Sequence, residues 1–249
     1  MSEPVVLVHG LIGTLQELVP LLEGQGVRAH APDLLGYGSL SAVAPECITL
    51  PEQVRHLAEW SAKQGLGRFH LVGHSVGGAV AALFTHAFPE RVASLVSVEG
   101  NFSLADAFWS GQVARMTPEE AEAMMDGFRA DPAGWLARSG VPSEPRTLAS
   151  ASLLLSNQPG TTVQRTARSV VEVTGRPEYE AAVKAVAEGP VPFHLLAGER
   201  SRTGWDVPPW AIARAASETV LPGTGHLMMM EQPDGFVSTL LRIIRRPRG

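Results

Sequence analysis

The sequence predicts an α/β fold, a mostly parallel sheet of about six strands with helices on both faces. Three observations predict it. Short apolar runs alternate with longer amphipathic stretches, the rhythm of βαβ units. The runs are apolar throughout rather than alternating with polar residues, as strands buried on both faces require. The length of 249 residues, with 45% apolar and 18% charged content, suits one large domain with an insertion better than two separate domains.

The elements follow in order. Val5-Val6-Leu7-Val8 is a continuous apolar run ending in His9-Gly10. Residues 14–23 read as a short helix and residues 27–32 as a second strand, followed by the turn Asp33-Leu34-Leu35-Gly36-Tyr37-Gly38. Residues 51–64 form an amphipathic helix, with Val54, Leu57, Ala58 and Trp60 or Ser61 at helical spacing. Pro51 sits at its start, where a missing N–H costs nothing. A third strand covers 69–73, and a helix of small residues follows over 76–88. Residues 92–98, 192–197 and 218–221 supply three more strands, and a last helix covers 233–245. The rhythm breaks between 101 and 189, where helices are expected over 103–114, 118–129, 132–138, 145–156 and 161–174 and no strand stands out. The expected organisation is therefore a core of 1–100 and 190–249 with a helical lid of 101–189 between two strands.

Composition excludes several classes. The net charge is −5, from 20 Lys and Arg against 25 Asp and Glu, so no basic field attracts nucleic acid. Cys47 is the single cysteine; no intrachain disulfide forms, and nothing demands an oxidising compartment. Met1-Ser2-Glu3-Pro4 has no basic n-region of a signal peptide, and the apolar runs fall short of the ~20 residues of a membrane helix. The expectation is a soluble cytoplasmic protein, monomer or homodimer, with no membrane partner. Arg242, Arg245, Arg246 and Arg248 read as cations favoured by the dipole at a helix C-terminus.

The chemistry centres on Gly73-His74-Ser75-Val76-Gly77, a G-x-S-x-G pattern between a strand and a small-residue helix. A serine on so sharp a turn is held with a strained backbone and an exposed hydroxyl. A serine hydroxyl needs a base to take its proton, and a histidine does this best near neutral pH. His226, in Gly223-Thr224-Gly225-His226 before the last helix, lies at the right place in chain order. His74 reads as packing beneath the sheet and His9 as a structural hydrogen-bonding group. His30, His56, His70, His86 and His194 read as structural or surface residues. No pair of histidines has zinc-ligand spacing, so neither metal nor other cofactor is expected. The glycine cluster lacks the lysine and the spacing of a nucleotide-binding loop. In a hydrolase of this layout the backbone N–H groups of Leu11, after the first strand, and Val76, after the serine, form the oxyanion hole.

These motifs together resemble the α/β-hydrolase superfamily. The strand ending in His9-Gly10, the turn 33–38, the Gly-His-Ser-Val-Gly-Gly elbow and Gly-Thr-Gly-His all match it, over nearly the whole chain except the lid. The likeness is to the esterase, lactonase and cofactor-free haloperoxidase-like branch. That family usually opens with an antiparallel hairpin; this chain begins at the His-Gly strand, so a smaller sheet is expected. Dehalogenases and epoxide hydrolases of the fold use an aspartate nucleophile, which Ser75 argues against.

The acid that orients His226 has three candidates. The family usually places an aspartate three residues after the glycine that ends the penultimate strand; here that position is Ser201. Glu199 is close to the strand end, and Asp206 is late in the same loop. Glu99, at the end of the strand after the elbow helix, falls 24 positions after Ser75. Zearalenone-lactonase-like hydrolases and some haloalkane dehalogenases resemble this placement, so Glu99 is favoured over Asp206 and Glu199.

The resulting expectation is a serine hydrolase of a small-to-medium apolar carboxylic ester or lactone. Trp109, Phe128, Trp135 and Leu227 are its expected substrate contacts. Phe102, Phe108, Met116, Met124 and Met125 also make the lid apolar, and most of these side chains suit the lid's own core. A ligand receptor on the same fold, or a thioesterase, acyltransferase or lyase using the same serine, are the alternative readings, since fold does not decide among them.

Overall fold

The computed structural model describes residues 3–245. Arg246 and Arg248 lie outside them, as do Met1 and Ser2.

Six parallel strands form one sheet in the order β2-β1-β3-β4-β5-β6. They are β1 (Val5–Val8), β2 (Ala29–His30), β3 (Phe69–His74), β4 (Val92–Val98), β5 (Phe193–Gly198) and β6 (Ser217–Leu221). Alternate residues of the central strands feed two separate cores. Val6 and Val8 pack on one face with Leu71, Leu95 and Leu195. Val5 and Leu7 pack on the other with Val72, Val96 and Leu196. Both faces are covered, which is why the strands are apolar at consecutive positions.

Helices α1 (Leu18–Gly24) and α12 (Pro233–Ile244) cover the second face through Leu18, Leu22, Phe236, Val237 and Leu240. The first face carries α2 (Leu50–Lys63) and α3 (Val76–Ala87). Thr49 caps α2, its hydroxyl accepting from the Glu52 amide at 3.3 Å. On the buried side of α2, Gln53 pairs with both backbone groups of Leu35, at 2.8 and 2.9 Å. That explains how a polar residue occupies a core position.

Every regular element between β4 and β5 is helical: a 3₁₀ turn at Ala105–Ala107, then α4 (Phe108–Val113), α5 (Pro118–Ala130), α6 (Pro132–Arg138), α7 (Pro145–Ser156), α8 (Gly160–Thr174) and α9 (Pro177–Glu188). Four of these begin with proline at the first turn, where its fixed φ is already helical. Thr117 and Glu120 close a capping box on α5, with bonds of 3.2 and 2.7 Å. Past β5 come α10 (Pro209–Arg214) and, after β6, α11 (Met228–Glu231).

Several boundaries differ from those the sequence suggested. Residues 14–17 are not helical: the Thr14 hydroxyl accepts from the Gln16 amide at 3.1 Å ahead of a turn at 16–17, and the first helix starts at Leu18. The second strand shrinks to Ala29–His30 because β2 is an edge strand pairing only with β1. The stretch 103–114 breaks into a 3₁₀ turn and the short α4. Helices α9, α10 and α11 were not anticipated. Among the described residues no helix is long and apolar enough to cross a membrane.

The chain adds β2 on one side of β1, then crosses back to build β3 to β6 on the other. In open α/β sheets ligands bind beyond the carboxyl ends of the strands, where the order reverses. Here that places the crevice above β1 and β3.

Candidate active site

Ser75 is the single residue between β3 and α3, and its backbone has φ 54° and ψ −124°. Such a conformation costs a non-glycine residue about 1–3 kcal/mol and persists only where the surroundings impose it. They do so here. The Ser75 amide donates to the Val98 carbonyl at 3.0 Å, and the Ser75 carbonyl accepts from the Gly78 amide at 2.8 Å. Three glycines let the ends of β1, β3 and β4 meet. A Cβ on Gly73 would stand 2.4 Å from the Gly77 oxygen, one on Gly77 2.3 Å from the Val8 oxygen, and one on Gly78 2.5 Å from the Gly100 Cα.

The loop after β1 lies against the elbow, with the position of a Gly10 Cβ 3.1 Å from the Ser75 Cβ. Two bonds fix its peptide planes. His9 Nδ1 donates to the Gly10 carbonyl at 2.8 Å, and that carbonyl shares its peptide with the Leu11 N–H. The Leu11 carbonyl in turn accepts from the Tyr37 hydroxyl at 2.8 Å. Burial lowers the His9 pKa to about 4, so the ring is neutral near pH 7. Neither the Leu11 amide nor the Val76 amide, first in α3, has a hydrogen-bond partner among the described residues.

On the other side of Ser75, Glu99 follows β4 with φ 44°. Its Oε2 accepts from His226 Nδ1 at 2.6 Å. Its Oε1 accepts from the Gly198 amide at 2.8 Å and from the Ser201 hydroxyl at 2.5 Å. Burial alone would push this carboxyl up. The hydrogen bond and charge of His226, then the Ser201 and Gly198 bonds, outweigh it and hold the pKa below the usual glutamate value. Glu199 is occupied elsewhere, and Asp206 is held in its loop through its backbone. The Asp206 amide donates to Asp106 Oδ1 at 2.9 Å, and Glu199 Oε2 accepts from the Gly223 amide at 2.8 Å. Neither carboxylate bonds His226 among the described residues.

The His226 backbone is held from beneath by His74, whose Nε2 donates to the His226 carbonyl at 3.0 Å. The two rings lie 4.6 Å apart. Burial, then the adjacent His226 charge, lowers the His74 pKa to about 3, which keeps this ring neutral. His74 is therefore not the packing residue under the sheet that its position suggested; it supports the histidine loop and lines the cavity. A Cβ on Gly198 would fall 2.4 Å from the Gly225 oxygen, so β5 and this loop approach as closely as backbone allows.

A cavity of about 770 Å³ opens over these groups. Ser75, Glu99, His226, Leu11, Trp109, Phe128, Trp135 and Leu227, all anticipated as site residues, line it together. Val76 does not line it; it is buried at the start of α3. The sequence reading missed Asn101, Asp106, Arg138 and Ser201, which also line the cavity. Asp106 pins the loop below the 3₁₀ turn, accepting from the Phe102 amide at 2.9 Å. Arg138 stacks over the Phe128 ring at 5.4 Å. Among the described residues no group of three or more His, Cys, Asp or Glu side chains is placed to hold a metal.

The helical segment is stitched to the core at both of these loops. Arg146 on α7 donates to the Met230 and Glu231 carbonyls at 2.7 and 3.0 Å, just past His226. Between α7 and α8, Gln158 Oε1 accepts from the Gly13 amide at 3.0 Å, and Asn157 Nδ2 donates to the Gly13 carbonyl at 3.0 Å.

Comparison with known proteins agrees with this architecture. The model of the alpha/beta hydrolase family matches residues 5–239. The chain belongs to that family. Among curated proteins, this chain is 37% identical over 100 residues to a pyrethroid hydrolase of Sphingobium wenxiniae, covering 37% of this chain and 34% of the relative. It is 29% identical over 116 residues to lipase 3 of a Moraxella species, covering 46% and 35%. These matches span about a third of each relative's length. Among solved structures, a thermophilic esterase from Thermogutta terrifontis superimposes with a TM-score of 0.70 at 23% identity, over 99% of this chain and 92% of the other. At that identity the likeness speaks to the fold.

Proposed function

We propose that this hydrolase cleaves a small-to-medium apolar carboxylic ester or lactone through an acyl-enzyme on Ser75. The observation that carries this reading is the 2.6 Å contact of Glu99 Oε2 with His226 Nδ1 above the strained Ser75 elbow. An ionised carboxylate on Nδ1 keeps the proton there and leaves Nε2 free to act as a base. Ser75 Oγ attacks the ester carbonyl while His226 Nε2 takes its proton. The Leu11 and Val76 amides, free of other partners, receive the developing oxyanion. In enzymes of this kind each such donor contributes about 3–4 kcal/mol. His226 then returns the proton to the leaving alkoxide, and the C–O bond breaks. Water, deprotonated by the same ring, resolves the acyl-enzyme. The cavity's aromatic walls, Trp109, Phe128 and Trp135, favour an apolar acyl or alcohol group. In this reading residues 101–189 act as a cap on a core of 1–100 and 190–249. Curated relatives named as a pyrethroid hydrolase and a lipase support ester chemistry in general.

The test is intact-protein mass spectrometry after treatment with a fluorophosphonate. A single adduct is expected on the wild type, none on Ser75→Ala, and much slower labelling of Glu99→Gln. An unlabelled wild type that binds small esters without turnover would replace this reading with that of a ligand receptor.

A further inference from the structure

We infer that Glu231 is a positioning residue for the general base: its side-chain oxygen, steadied by Arg200, fixes the peptide that leads into His226. The inference rests on the hydrolase reading above, in which His226 is that base.

His226 ends a loop that does not stiffen itself. Gly223-Thr224-Gly225 precedes it, and glycine has more backbone freedom to lose than any other residue. The ring is therefore placed by what grips this loop. Glu99 holds its Nδ1, and His74 holds the His226 carbonyl. Both act on His226 itself, and neither fixes the direction from which the chain arrives.

That direction is set one peptide earlier. The peptide between Thr224 and Gly225 is gripped at both ends. Its carbonyl accepts from the Arg200 amide at 2.9 Å, and its N–H donates to Glu231 Oε1 at 2.7 Å. The other carboxylate oxygen of Glu231, Oε2, accepts from Arg200 Nη2 at 2.5 Å. Arg200 also donates to the Gly223 carbonyl and, at 3.0 Å, to the Gly140 carbonyl. The pair closes directly on the backbone: a Cβ on Gly225 would stand 3.2 Å from Arg200 Nη2 and 3.4 Å from Glu231 Oε1.

The Glu231 side chain is only 6% exposed, against 45% for Arg200. A hydrogen bond to a carboxylate is about twice as strong as one between neutral groups. The backbone of Glu231 is anchored as well. Its amide donates to the Leu227 carbonyl at 3.0 Å within α11, and its carbonyl accepts from Arg146 at 3.0 Å. Glu231 is thus a fixed point against which Gly225 is held. Other side chains grip the loop farther from the ring, since Glu199 and the Arg200 guanidinium both take hold of Gly223. Without Oε1, the Gly225 N–H is released and the chain entering His226 turns. A misplacement of about 1 Å in a reacting group costs about 10²-fold.

The experiment measures kcat and KM for 4-nitrophenyl butyrate with the wild type, Glu231→Leu, Glu231→Gln and Glu231→Asp. Formation and hydrolysis of the acyl-enzyme both use His226, so kcat reports its placement whichever step limits. Glu231→Leu is expected to lower kcat by about ten- to a hundredfold while KM changes less than about threefold. Fluorophosphonate labelling of Ser75 should slow in parallel. Glu231→Gln keeps an acceptor for Gly225 and should recover most of the loss. Glu231→Asp keeps the charge beside Arg200 but is one methylene short of Gly225, so it should lose at least about fivefold in kcat; it gives the answer should the leucine variant not fold. A Glu231 that served only stability would lower the melting temperature and leave kcat alone. Folded leucine or aspartate variants with kcat within about twofold of wild type would therefore overturn the role of Glu231 and leave the hydrolase standing. So would a glutamine variant as slow as the leucine one. A wild type that neither cleaves the ester nor takes the label would overturn both readings.

Discussion

Ser201 Oγ lies 2.5 Å from Glu99 Oε1, and Ser201 occupies the position where resembling hydrolases usually carry their acid. The family's usual acid position and Glu99 thus converge on the same point beside His226. The acid should therefore be transplantable. Glu99→Ala is expected to lower kcat by about 10⁴-fold, the loss seen when a triad acid is removed. Adding Ser201→Asp to that variant should restore at least tenfold of the loss, because the longer side chain reaches toward the vacated space. Ester-hydrolysis kinetics decide it: a double variant no faster than Glu99→Ala would show that an acid at 201 cannot serve His226.

The bond from His9 Nδ1 to the Gly10 carbonyl orients the peptide whose N–H belongs to Leu11. His9→Leu should let that plane turn. Removing an oxyanion donor outright costs about 10²–10³ in kcat, so a misaimed one is expected to cost about tenfold or more. KM should change little. Steady-state kinetics showing the loss in KM alone would mean that His9 shapes the cavity instead.

His9 and His74 are held neutral by burial, with pKa values of about 4 and about 3 against 6.5 for an open histidine. In both, the folded-state pKa is depressed, so below pH 6.5 the unfolded chain binds protons that the native one refuses. Stability therefore falls as the pH drops from about 6.5 toward 4. The slope approaches about 1.4 kcal/mol per pH unit for each ring. Urea unfolding of wild type and His74→Asn at pH 7, 6 and 5 should show their difference shrinking or reversing in favour of the variant. A difference constant with pH would refute neutral burial of His74.

Glycines of the elbow and of the helices should respond in opposite directions. Gly77→Ala drives a methyl to 2.3 Å from the Val8 carbonyl oxygen, a backbone atom that cannot step aside. The variant is expected to lose several kcal/mol, beyond the ~1–3 kcal/mol of ordinary overpacking, or to remain insoluble. Gly127, inside α5, has nothing within 4 Å of its would-be Cβ. Gly127→Ala should raise stability by about 0.5–1 kcal/mol. Thermal denaturation of the two variants checks both signs.

The elbow was legible in the sequence because its physical requirement is local: three glycines and a serine at fixed spacing between a strand and a helix. Glu99 was legible through its place at the end of an apolar strand, although Asp206 and Glu199 competed with it on sequence alone. The long α9 was also written there and passed over. Pro177 opens it, and Tyr179, Ala182, Val183, Val186 and Ala187 recur with helical period. What could not be read were partnerships made across the fold. Ser201 meets Glu99 from 102 positions away, and His74 meets the His226 carbonyl from 152. No local pattern signals either.

The stitches of the helical segment have a further consequence, for traffic. Arg146 fastens it beside the histidine loop, and Asn157 and Gln158 fasten it beside the loop after β1. Phe108 and Trp109, 74% and 37% exposed, line the cavity at residues that neither seam holds. A molecule entering beside them would meet two apolar rings before it met Ser75, so that approach favours greasiness before any chemistry begins.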